Sequence, residues 1–119
     1  MSAELKTQIQ AAIGAHGLWK GRLASAIESG KCEFDVKKVE CDDQCDFGKW
    51  LHGAIDAAAK AMPECAQVKA QHAKFHKEAA KVLRLALGGQ KDAASKALLA
   101  EYAKVSGDLV GLLRAWKDK

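Results

Sequence analysis

A single proline, scarce β-branched residues and no Asn-Gly or similar hairpin pair leave little from which to build a sheet. An all-α fold is the expectation, since alanine, leucine, lysine, glutamate and glutamine dominate. Long apolar runs are missing as well: nothing approaches the roughly 18 consecutive residues of a membrane span. The N-terminal MSAELKTQIQAAIG is amphipathic and charged and carries no signal-peptide core, so the protein is expected in the cytosol. Basic clusters are also lacking. The 19 Lys+Arg and 15 Asp+Glu leave a net charge of +4 but interleave along the chain, which speaks against a phosphate-tracking groove and a nucleic-acid partner. With 49% hydrophobic and 29% charged residues the composition is globular, and two cores of about 60 residues each would both be marginal. Residues 1–119 are therefore read as one domain.

What is present is helical periodicity. A first helix is expected to start after Ser2 as N-cap and to run over 3–29, ended by Gly30, with Leu5, Ile9, Ile13, His16, Lys20, Leu23 and Ile27 on its seam. The non-periodic stretch 30–42 reads as a long loop, of the kind that carries function or moves. Asp42 or Asp43 can cap a second helix over 44–61, and Pro63 suits the first turn of a third, over 63–87, closed by Gly88 and Gly89. A fourth helix over 91–117 places Leu98, Tyr102, Val105, Leu109, Leu112 and Trp116 at four-three spacing, a structural seam without a metal-ligand residue on it. Short connections make neighbours antiparallel, so the expected architecture is an up-down-up-down four-helix bundle with a long loop between helices 1 and 2.

Two histidines interrupt that apolar logic. His72 and His76 are four apart and so share one helix face, as two ligands of one ion require, although solvated or core-edge histidines fit the same spacing. Rise per residue places His16 roughly 20 Å up helix 1 and His72 and His76 roughly 14 and 20 Å up the parallel helix 3. A helix 2 that descends about 26 Å starts Cys45 at the same height. Three imidazoles and one thiolate form a closed tetrahedral donor set that suits one Zn²⁺ per chain better than iron or magnesium. Cys45, in the first turn of helix 2, is also the expected reactive thiol. His52 lies about 10 Å further along that helix, too far to share the ion.

Three boxes in register carry a resemblance: His16-Gly17-Leu18-Trp19, Cys45-Asp46-Phe47-Gly48-Lys49-Trp50 and His72-Ala73-Lys74-Phe75-His76. They resemble the bacterial chemoreceptor zinc-binding (CZB) domain family, whose pattern is a histidine with an aromatic three residues on, a Cys-x-Phe/Leu-Gly-x-Trp box and a His-x-x-x-His pair. The resemblance implies a cytosolic helical bundle, attached to chemoreceptors or diguanylate cyclases or standing alone. It implies His16, Cys45, His72 and His76 as zinc ligands, and sensing of zinc or of oxidants such as hypochlorous acid. No output or membrane segment is recognisable, which implies a signalling partner in trans or outside this chain.

The remaining residues have plainer roles. Gly14, Gly17 and Gly21 suggest close helix approach around His16, and Gly48 and Gly53 the same for helix 2, though a tolerated helical glycine is the simpler account for the last two. Trp19 and Trp50 are expected to shield the site from water. Asp42, Asp43 or Asp46 can orient a ligand histidine. Cys41 is a candidate to replace Cys45 or pair with it on oxidation, Cys65 a small core filler, and Cys32 unassigned. Catalysis is not expected, because four ligands close the sphere and no metalloprotease glutamate follows. A di-iron bundle lacks its carboxylates, whereas a structural zinc staple uses the same ligands as a sensor. A second apolar row on helix 4, Leu99, Ala103, Val110 and Leu113, with Leu18 on helix 1, predicts a homodimer.

Overall fold

The computed structural model describes residues 3–32 and 34–119; the proposed Ser2 cap lies outside them. Among the described residues every regular element is helical. The first rod consists of α1 (Ala3–Gly17) and α2 (Trp19–Ser29), joined in line through Leu18, whose backbone is itself helical. It ends as expected at Gly30: φ of +72° lets that residue turn its N–H back to the Ala26 carbonyl without a Cβ penalty. Its buried edge is Leu5, Ile9, Ala12, His16, Trp19, Leu23, Ala26 and Ile27. Trp19 takes the seam position expected for Lys20, which is exposed, and Ala12 displaces Ile13 to the edge.

The stretch 30–42 is only partly a loop. Asp35 accepts a hydrogen bond from the Lys37 N–H (3.0 Å) and so caps a short helix, α3 (Val36–Glu40). The continuous second helix is also replaced: the chain forms α4 (Asp46–Lys49), a π turn over Trp50–Ala54, a break at Ile55 and Asp56, and α5 (Ala57–Lys60). Two local causes account for this. Asp56 bonds the Ala59 N–H at 2.7 Å and so restarts the helix there, and the π turn lets Trp50, Leu51 and Ile55 all be buried.

The other two rods follow the sequence closely. Pro63 opens α6 (Pro63–Leu87), which buries Cys65, Val68, His72, Phe75, His76, Ala79, Val82, Leu83 and Ala86 along one stripe. Gly89, at φ +79°, turns the chain into α7 (Lys91–Ala97), which continues through a π turn (Leu98–Tyr102) into α8 (Ala103–Lys117). The Gln71 side chain donates to the Val105 carbonyl and the Trp116 indole to the Met62 sulfur, so α6 and α8 run antiparallel. α6 also packs on α2 and α3, and α1 on α8, giving extents of 45 × 23 × 19 Å. On the last rod Leu113 is buried and Leu112 and Val105 only half-buried, because a straight helix drifts off a strict four-three repeat. No helix of the described residues is long and apolar enough to cross a membrane.

Candidate metal centre

At mid-bundle α1, α4 and α6 meet, and His16, Cys45, His72 and His76 bring one donor atom each to within 4.8 Å of the others. His72 Nε2 stands 3.0 Å from His16 Nε2 and 3.0 Å from His76 Nε2. The Cys45 Sγ is 3.4 Å from His72 Nε2, 3.5 Å from His76 Nε2 and 4.0 Å from His16 Nε2. A tetrahedral ion with nitrogen and sulfur ligands at ordinary zinc distances spans donor separations of about 3.3 Å (N to N) and about 3.6 Å (N to S). The residues therefore fit such an ion.

Their protonation fits it too. His16 Nδ1 lies 2.7 Å from the Ala12 carbonyl and His76 Nδ1 2.8 Å from the Val39 carbonyl. A carbonyl oxygen only accepts, so each Nδ1 carries the proton and each Nε2 turns a lone pair inward. Main-chain carbonyls, not Asp42, Asp43 or Asp46, thus orient these two rings. His72 Nδ1 is buried without a hydrogen-bond partner among the described residues. Burial pushes His16 down to about 4 and His72 down to about 2, and lowers His76 as well, so the three rings are held neutral. Crowded inward lone pairs with few protons to share are an arrangement that a cation relieves.

Cys45 is the N-cap of α4, a position expected for Asp42 or Asp43: its Sγ accepts the Gly48 N–H at 3.3 Å. Burial pushes its thiol up, opposed by the N–H groups of Gly48 and Phe47. Gly48 is required on other grounds: a Cβ there would stand 1.8 Å from the Asp42 carbonyl oxygen. The close approach expected at Gly14, Gly17 and Gly21 is not found, and neither is one at Gly53, since a Cβ at any of them meets nothing within 4 Å.

Phenylalanines enclose the centre. Phe47 faces His16 and His72 edge-on (6.0 and 5.2 Å between centroids), and Phe75 does the same to His16 and His76 (4.9 and 5.4 Å). Trp50 stacks behind Phe47 and Trp19 packs on Phe34, so the tryptophans form an outer layer around the phenylalanines. Sequence reasoning gave Phe75 no role, although its place between the two histidines of His-x-x-x-His was a usable signal. Val39 left no such signal, because it contributes through its backbone.

The other candidates lie outside the cluster. His52 is exposed and pairs with Asp42 at 3.3 Å. Cys41 is exposed at the end of α3, Cys32 accepts the Phe34 N–H, and Cys65 is buried in the core. No curated protein and no solved structure matches the chain. A family model does: that of the chemoreceptor zinc-binding domain, over residues 16–83, a span that contains all four clustered residues.

Proposed function

The chain belongs to the chemoreceptor zinc-binding domain family, and on that premise we propose that it is a regulatory module that holds one zinc ion at His16, Cys45, His72 and His76. The observation that carries this reading is the convergence of three imidazole Nε2 atoms and one thiol, with two of the imidazole tautomers set by backbone carbonyls. When bound, the ion supplies charge that holds Cys45 as a thiolate. Four protein ligands leave no open position for a substrate water, which favours a sensor over an enzyme.

Sensing is assigned to Cys45. Oxidation of its thiolate by hypochlorous acid, with chloride leaving, removes the only anionic donor and leaves three neutral imidazoles with a weaker hold. α4 and α3 are then free to shift, because the Cys45 cap and the His76 bond to Val39 both end at this centre. Input of this kind suits chemotaxis or cyclic-di-GMP signalling in the bacterial cytoplasm, with the module acting as a homodimer. Leu18 and Leu99, 61% and 71% exposed, are the apolar residues offered to the second copy; Leu113, from the same expected row, is buried in its own core.

The deciding experiment is metal analysis of protein purified without added zinc, with thiols counted before and after mild hypochlorous acid. One zinc per chain, with Cys45 oxidised before Cys32, Cys41 and Cys65, is expected. A metal ratio near zero sinks the zinc centre. Cys45 as the slowest thiol leaves a structural staple in place of a sensor.

A further inference from the structure

A half-open cleft of about 710 Å³ lies between the first rod and the 34–49 segment, with His16, Cys45 and His76 among its lining residues. That volume is in the range of small-molecule sites. Its lining combines aromatic residues, Trp19, Phe34 and Phe47, with charged ones, Arg22, Lys38 and Lys49 alongside Asp35 and Asp46.

The lining cations outnumber the lining carboxylates, three to two. Among the described residues no carboxylate pairs with Arg22, Lys38 or Lys49, and Asp35 is occupied as the cap of α3. Arg22 sits beside two rings of the cleft: its guanidinium carbon stands 5.0 Å from the Trp19 ring centroid and 5.0 Å from that of Phe34. A cation beside two aromatic rings is attracted without using up its N–H donors, and the guanidinium fork matches a planar, bidentate acceptor such as a carboxylate. Phe34 is itself anchored, since its N–H bonds the Cys32 sulfur at 3.4 Å.

We propose that this cleft is a binding site for small organic carboxylates with an apolar body, the carboxylate on Arg22 with Lys38 beside it and the body against Trp19, Phe34 and Phe47. A bound acid would lie over the approach to Cys45, so its presence would set how readily an oxidant reaches that thiol. The binding site does not depend on the zinc reading, since no residue assigned to the ligand is a proposed metal ligand; its effect on Cys45 rests on that reading.

The test is a titration of the full chain with benzoate and phenylacetate, followed by backbone amide shifts, in both metal-loaded and chelator-treated protein. Saturable shifts centred on residues 19–22 and 34–38 are expected, with neutral benzamide and inorganic phosphate each weaker by about tenfold or more. Arg22→Gln should weaken benzoate by about tenfold while leaving metal content unchanged. No saturation by either acid at millimolar concentration, phosphate binding as well as benzoate, or indifference to Arg22→Gln would each overturn the proposal. Loss of zinc binding with carboxylate binding intact would overturn the metal reading alone.

Discussion

At the scale of single residues, Gly48 and the ligand histidines carry the sharpest consequences. A methyl at position 48 meets the Asp42 backbone, which has no flexible side chain to move aside. Gly48→Ala should therefore cost about 2–3 kcal/mol in urea unfolding and weaken metal binding through Cys45. Gly14→Ala or Gly21→Ala, in open space on a helix, should be neutral or stabilising by about 0.5–1 kcal/mol. Equal losses at positions 14 and 48 would contradict this. His72→Ala or His76→Ala should abolish stoichiometric metal, whereas His52→Ala should retain it; equal losses at all three would mean that the centre is drawn wrongly. The buried histidines also set an acid limit on the metal-free chain. Their folded values lie below the unfolded one, so the unfolded chain binds more protons as the pH falls below about 6.5. Stability of chelator-treated protein should accordingly drop from about pH 7 to about pH 5, and a flat or rising melting temperature over that window would refute the assignment.

At the scale of elements, α3 is the part of the fold most closely coupled to the centre. Its Val39 is buried and gives its carbonyl to His76, and the chain just beyond it, at Asp42, sits against Gly48. Its outer contact, Glu40 with Arg84, is a solvent-exposed ion pair of the kind that contributes little. Chelation of the metal, or oxidation of Cys45, should therefore raise amide hydrogen exchange over residues 36–49 while α8, built on Leu109, Leu113 and Trp116, stays protected. Uniform loosening of α8 and α3 together would instead indicate global unfolding of a metal-stapled bundle.

At the scale of the whole molecule, exposed Leu18 and Leu99 motivate the dimer. Light scattering at high micromolar concentration should give twice the chain mass of 12.8 kDa, and Leu18→Lys with Leu99→Lys should return the monomer without lowering metal content. A monomeric parent protein would count against the assembly. Zinc at about 100 times its dissociation constant should stabilise the fold by about 2.7 kcal/mol, read as a melting shift that a chelator reverses.

Periodicity together with its end signals determined the long rods, because a helix that buries one stripe writes that stripe into the sequence at spacings of three and four, while Pro63 and Gly88 set the limits of 63–87 and Gly30 ends the first rod. The shared layer of His16, His72 and His76 was legible for the same reason, since rise per residue converts sequence position into height along a rod; the height expected of Cys45 rested on a continuous 44–61 helix that the structure replaces, and Cys45 joins the layer as the N-cap of α4. Tertiary structure decided the rest. The break of 44–61 into α4, a π turn and α5, and the appearance of α3 inside the expected loop, answer to burial of Trp50, Leu51 and Val39 against neighbours distant in sequence. The Ala12 and Val39 carbonyls that orient His16 and His76 are backbone atoms, identical at every position, so no residue type marks them until the fold brings them within hydrogen-bond reach.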